Sequence, residues 1–162
     1  MGRRILHTGR LGSASILKVM TNYLASVNLV SIGEALAVCK LAGMDMKTTY
    51  EAIKISSGNS FVNETETQVI LNGSYDVNFT MELVLKDIGI FNDLANNFKA
   101  PLEVSPLLIK VFNDRKEKYG PEAWSTMIVK RLEDACNINF RAGGFPPQLK
   151  DDEPEEEGYE IK

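Results

Sequence analysis

Apolar residues recur every three or four positions along most of this chain, the spacing of helices rather than strands. The longest run starts at Ser13, which has the chemistry of an N-cap, and continues to about Ala42. Ile16, Val19, Met20, Tyr23, Leu24, Val27, Val30 and Ala35 hold the helical register. A helix of about thirty residues spans about 45 Å. Its apolar positions lie nearly all round, so burial on several sides is expected, and Gly43 closes it. Asp45 caps a second helix to about Ser56, and Ser60 a third to about Leu71, stopped by Asn72-Gly73. Tyr75 to Phe79 reads as an extended connector before Thr80, which caps a fourth helix to about Phe98. Ser105 and Pro106 suit the cap and first position of a fifth, ending at Tyr119-Gly120; Pro121 opens a sixth, to about Cys136. Arg3 to Thr8 reads as a strand or a linker. Beyond Asn139 the periodicity is lost. The expected fold is all-α: one long helix plus a helical bundle.

Composition narrows the functional classes. At 162 residues and 44% hydrophobic the chain fits one domain with a real core. It is short for an enzyme that must house both a large cofactor and a substrate. The net charge of −4 is uneven. Residues Lys150 to Lys162 hold seven acids against two lysines, a net of −5, which leaves the other 149 residues near +1. A near-neutral body offers no basic face, so no nucleic acid partner is expected. No apolar run approaches the roughly 18 residues of a span, so no membrane partner is expected either. Cys39 and Cys136 read as free thiols in a reducing compartment, which points to the cytoplasm. A single histidine, His7, leaves no ligand set for a metal.

The chain has no GxGxxG after a strand, no P-loop, no GxSxG and no HExxH. Lys18 and Asn22 stand one turn apart on one face of the long helix. A lysine enclosed by apolar side chains loses hydration, which favours its neutral form and suits it to proton transfer. Asn22 can hold that amine or a substrate oxygen. On spacing alone, a lysine reaching out to water remains the simpler reading. The Lys86-Asp87 pair interrupts an apolar helical stretch, and on spacing alone a solvated helix edge is the simpler reading. Gly9 to Ser13 is a small-residue turn at a helix start, which also has a plain structural reading as a capped turn.

Taken together, these segments resemble the C-terminal domain of the β-hydroxyacid dehydrogenase family, the 3-hydroxyisobutyrate dehydrogenase-like enzymes. His7-Thr8-Gly9-Arg10-Leu11-Gly12-Ser13-Ala14, followed by Lys18 and Asn22, is similar to the family's H-x-G-x-x-G-S-G and K-x-x-N-N. Glu34-Ala35-Leu36-Ala37 and Ala42-Gly43-Met44-Asp45 match its E-A-L-A and A-G-L-D. Phe79 to Leu83 with Lys86-Asp87 matches its F-x-x-x-L-x-x-K-D. Order and spacing agree across all three blocks, most strongly over residues 5–100. Ala14 departs from the last glycine of G-S-G, and Thr21 from the first asparagine of N-N.

The resemblance implies a fold like that of the 6-phosphogluconate dehydrogenase C-terminal domain, with the long helix running between domains. It implies an NAD(P)-dependent oxidoreductase acting on a small β-hydroxyacid or its semialdehyde. Lys18 falls on the catalytic lysine, Asn22 on the asparagine that steadies it, and Lys86 on the lysine that contacts the NAD or NADP. Gly12, Ser13, Phe79 and Asp87 fall on positions that shape the site. The expected organisation is a connector over 1–12, a helical domain over 13–138 and an acidic arm over 139–162. The Rossmann domain that holds most of the cofactor in family members has no counterpart here. The chain is therefore expected to be inactive alone, and to form a homodimer or higher homo-oligomer. An arm over Gly143 to Tyr159, anchored by Phe145 and Tyr159, is one candidate for wrapping a partner subunit; a solvated tail is the other. A stand-alone helical dimerisation or binding module is the alternative to the enzyme reading.

Overall fold

The computed structural model describes residues 4–150 and 157–161. Its elements are β1 (Arg4–Leu6), α1 (Ser13–Leu41), α2 (Met46–Lys54), α3 (Phe61–Asn72), α4 (Met81–Asn97), α5 (Val104–Tyr119), a 3₁₀ turn (Ser125–Ile128), α6 (Lys130–Cys136) and β2 (Tyr159–Ile161). Among the described residues the protein is all-α apart from the two short strands. These pair in parallel, Arg4 opposite Tyr159 and Leu6 opposite Ile161.

Side-chain caps set three helix starts. Asp45 accepts the Thr48 N–H, Ser60 that of Asn63 and Thr80 that of Leu83, so each satisfies a free backbone amide of the first turn. Gly73 and Gly120 close α3 and α5 at φ 95° and 94°, a region that glycine enters without a Cβ clash. Three boundaries differ from the sequence reading. Ser13 is the first residue of α1 rather than its cap; Gly12 holds that place at φ 92° and closes a turn from Arg10. Helix α5 begins at Val104. Ser105 is fully buried and caps nothing, while Pro106 still lies in the first turn, where its missing N–H is not needed. The sixth helix is split. Met81 N–H donates to Ala123 O and Ser125 N–H to Phe79 O, both at 2.8 Å, and this pairing keeps Trp124 extended. Helical backbone resumes only at Ser125.

Helix α1 is central. Leu29, Ile32, Leu36 and Ala37 are buried on it, and α2, α3, α4 and α6 all pack around it. By length and composition alone this helix could cross a membrane, which corrects the expectation that no such segment exists. The reason is that its charged residues are few and widely spaced, Lys18, Glu34 and Lys40. Tyr23 on α1 stacks on Phe91 of α4, ring centroids 3.9 Å apart and nearly parallel, which fixes the register of the two helices.

The segment after α6 folds back over α2 and α3 of its own chain. Phe140 is fully buried, Ala142 N–H donates to Leu71 O, and Phe145 meets Tyr50 edge-on at 5.1 Å. Phe145 thus anchors the arm to its own chain, and Tyr159 lies in β2 against β1. A buried polar cluster fastens this return. Glu133 accepts hydrogen bonds from the Tyr75 hydroxyl, from Phe140 N–H at 2.8 Å and from Arg141 Nη1 at 3.2 Å. Arg141 also donates to Ile70 O and to the Tyr75 hydroxyl. Burial, with the Glu133 hydrogen bond, pushes the Tyr75 phenol well above its usual range. Most acids of the acidic tail, Asp151 to Glu156, lie outside the described residues.

Candidate active site

Two helices build the site. Lys18 and Asn22 are one turn apart on α1, and α4 passes beside them at Asp87. Lys18 Nζ donates to Asn22 Oδ1 at 2.7 Å, and Asn22 Nδ2 donates to Asp87 Oδ2 at 2.7 Å. This array allows one orientation of the Asn22 amide: its oxygen must face the ammonium and its nitrogen the carboxylate. Lys86 Nζ is 3.6 Å from Asp87 Oδ1 and is 60% exposed, against 17% for Asp87. Tyr23 on Phe91, immediately beyond this array, holds Asn22 and Asp87 in register.

The array borders a cavity of about 240 Å³. Lys18, Asn22, Ala25, Ser26 and Leu29 line it from α1, Val84 and Asp87 from α4. Phe79 from the connector and Ser125 from the 3₁₀ turn close another side, held there by their backbone hydrogen bond. Lys18 itself is exposed rather than enclosed. The structure thus brings together Lys18, Asn22, Phe79 and Asp87. Lys86 joins through Asp87 but does not line the cavity. Gly12 and Ser13 lie at the start of α1, and Ser13 is about 7.5 Å of helix rise before Lys18; neither lines the cavity.

Glu66 on α3 is a lining residue that the sequence reading missed. Its Oε2 is buried with no hydrogen-bond partner. Burial pushes its carboxyl up to about 7. One signal was available. Glu66 stands four residues after Val62 and four before Ile70, so it occupies the apolar stripe of α3. A carboxylate on a stripe of core residues needs a reason, whereas Glu64 beside it does not.

Residues near this site chemically suit one edge of a dinucleotide and not the whole of it. Lys86 offers an exposed cation beside the cavity, while the chain carries no glycine-rich phosphate cradle.

The chain is similar to known proteins of one family. Residues 12–132 match the family model described as the NAD-binding domain of NADP-dependent 3-hydroxyisobutyrate dehydrogenase. The chain is 29% identical over 145 residues to 2-(hydroxymethyl)glutarate dehydrogenase of Eubacterium barkeri, covering 88% of this chain and 48% of that protein. It is 32% identical over 101 residues to L-threonate dehydrogenase of Cupriavidus necator, covering 62% of this chain and 34% of that protein. In fold it resembles the crystal structure of 3-hydroxyisobutyrate dehydrogenase from Salmonella typhimurium, with a TM-score of 0.68 at 23% identity, over 74% of this chain and 42% of that one. The chain thus spans about half the length, or less, of the curated relatives it matches. A family model that covers three-quarters of the sequence, on an all-α fold shared with solved members, makes this chain a member of the 3-hydroxyisobutyrate dehydrogenase family, whose cofactor is NAD(P).

Proposed function

We propose that this chain is the helical, lysine-bearing part of an NAD(P)-dependent oxidoreductase acting on a small β-hydroxyacid or its semialdehyde. The observation that carries the reading is the continuous Lys18–Asn22–Asp87 hydrogen-bond array on the edge of a half-open cavity. A bound dinucleotide would supply the hydride acceptor or donor for the carbinol carbon. The chain's own residues manage the proton. In oxidation Lys18, as the neutral amine, takes the proton from the substrate hydroxyl; in reduction, as the ammonium, it gives one to the carbonyl oxygen. Asn22 Oδ1 accepts from Nζ and so aims the remaining valences of that nitrogen into the cavity. Asp87 holds the Asn22 amide in the orientation this needs and acts as a positioning residue. Lys86 is the cofactor-contacting cation, and Gly12 and Ser13 form the approach to the site from the start of α1. Phe79 walls the substrate's far side from water.

Without a dinucleotide-binding domain the chain does not transfer hydride. The exposed apolar side chains Leu24, Val38 and Leu41 on α1, with Val104 and Leu107 on α5, support self-association into a homodimer or higher homo-oligomer. The unpaired thiols Cys39 and Cys136 suit the cytoplasm. The test is Lys18→Ala in a protein that joins this chain to its dinucleotide-binding domain. Turnover should fall roughly 10²–10⁴-fold with the fold intact. Near-normal turnover would remove Lys18 from the chemistry.

A further inference from the structure

We propose that Glu66 is a specificity-determining residue of this site, receiving a hydroxyl at the end of the substrate remote from the reacting carbon, so that the cavity selects a polyhydroxy acid over one with an apolar tail. The inference rests on the reading of Lys18 and Asn22 as the groups at the reacting carbon.

Three observations carry it. Glu66 lines the same cavity as Lys18 and Asn22 but enters from a different helix, α3 rather than α1. Ala25, Leu29 and Val84 give the same cavity apolar lining that would by itself serve a methyl or methylene tail, while Ser26 and Ser125 add hydroxyls. Its Oε2 is nonetheless buried and unpartnered, a cost that a leucine at this place on the α3 stripe would avoid. A bound hydroxyl removes that cost.

The chemistry favours a hydroxyl over other polar tails. The charged groups that share the cavity are Lys18 from α1 and Asp87 from α4; the 3₁₀ turn contributes Ser125 and the connector Phe79. An ammonium tail would share the cavity with the Lys18 ammonium. A second carboxylate would be repelled by Glu66 once that group ionises. A hydroxyl both donates and accepts, so it pairs with the protonated and the ionised carboxyl alike. With burial holding Glu66 near the middle of its titration at neutral pH, that tolerance is what the site needs.

The test uses the 162-residue chain, carbon-13 labelled at its glutamate carboxyls, titrated at neutral pH with threonate and separately with hydroxyisobutyrate, whose tail is a methyl group. Native chemical shifts away from the site establish that each variant is folded. The unmodified chain should bind threonate at least about tenfold more tightly, with the Glu66 carboxyl signal moving only for threonate. Glu66→Leu should weaken threonate on the order of 10–100-fold and leave hydroxyisobutyrate within about twofold. Glu66→Gln, which keeps a hydrogen-bonding group, should hold most of the preference. Lys18→Ala should weaken both acids. An unchanged preference in Glu66→Leu overturns the role of Glu66 while leaving that of Lys18 standing. Lost preference in Glu66→Leu together with full binding by Lys18→Ala supports Glu66 and refutes the reading of Lys18. If neither acid binds, both readings fall.

Discussion

Glu133 and Glu66 are both carboxylates set among core residues, and the protein treats them in opposite ways. Glu133 accepts from the Tyr75 hydroxyl, the Phe140 N–H and Arg141, so both of its oxygens are occupied. Glu66 has an oxygen with no partner at all and lies on a cavity. The first arrangement ties the returning chain to α3 and α6, and nothing is left over for a ligand. In the second, polar capacity is left unused beside Lys18 and Asn22. A buried polar group that is fully satisfied reports on the fold; one that is left open points to what the fold is waiting to hold.

The contrast can be broken from either side. The largest effect is expected at Glu133. Removing it as Glu133→Ala strands the Arg141 guanidinium and the Phe140 amide, and should cost about 3–5 kcal/mol in a urea unfolding series. Loss of less than about 1 kcal/mol would show that the cluster is not what fastens the return.

Glu66 should behave in the reverse sense. Its carboxyl titrates near 4.5 when unfolded and near 7 when folded, so the folded state holds the extra proton between those values. Stability from this group is therefore complete below pH 4.5 and is lost as pH rises through 7. Glu66→Gln should be the more stable protein at alkaline pH by roughly 3 kcal/mol, with the gap closing at acid pH. Parallel unfolding midpoints at both pH extremes would mean that Glu66 is solvated.

A smaller change is expected where the array is supported rather than built. Asp87→Ala frees the Asn22 amide to rotate and should lower kcat roughly 10–100-fold in the joined enzyme, with KM moving less. Asp87→Asn keeps an acceptor and should recover most of that loss. Equal losses in the two variants would mean that Asp87 acts through its charge and not by aiming Asn22.

The smallest effect is expected at a fourth carboxylate, which is paired but wet. Asp134 accepts from Lys118 at 2.5 Å, from Tyr119 at 2.7 Å and from Lys130 at 3.1 Å, and these bonds hold it well below the usual range. It is 29% exposed, and water screens each pair. Lys130→Ala should change stability by under about 0.5 kcal/mol. A loss near that of Glu133→Ala would remove the distinction between buried and surface pairing.

The helices were legible because their signals are local. Asp45, Ser60 and Thr80 each cap the helix that begins next to them, and Gly43 and Gly73 sit at the stops. The failures were non-local. The break at Trp124 depends on backbone pairing with residues 79–81, more than forty positions away in sequence. Ser105 lost its capping role because tertiary packing buried it. In the site, Lys18 and Asn22 share a helix face, so their meeting could be read from spacing. Asp87 could be placed beside them only by the resemblance, since α1 and α4 meet through the Tyr23–Phe91 stack. Glu66 was visible only as an acid on an apolar stripe, and neither its cavity nor its missing partner can be read from one helix.

The state of Glu66 decides between an open site and an ordinary surface acid. Carbon-13 carboxyl titration of the folded chain measures it directly. The expected Glu66 midpoint is near 7, well apart from the bulk of the exposed carboxylates. A midpoint near the unperturbed 4.5 would contradict it, because Glu66 would then be an ordinary solvated acid with no open valence to offer a substrate.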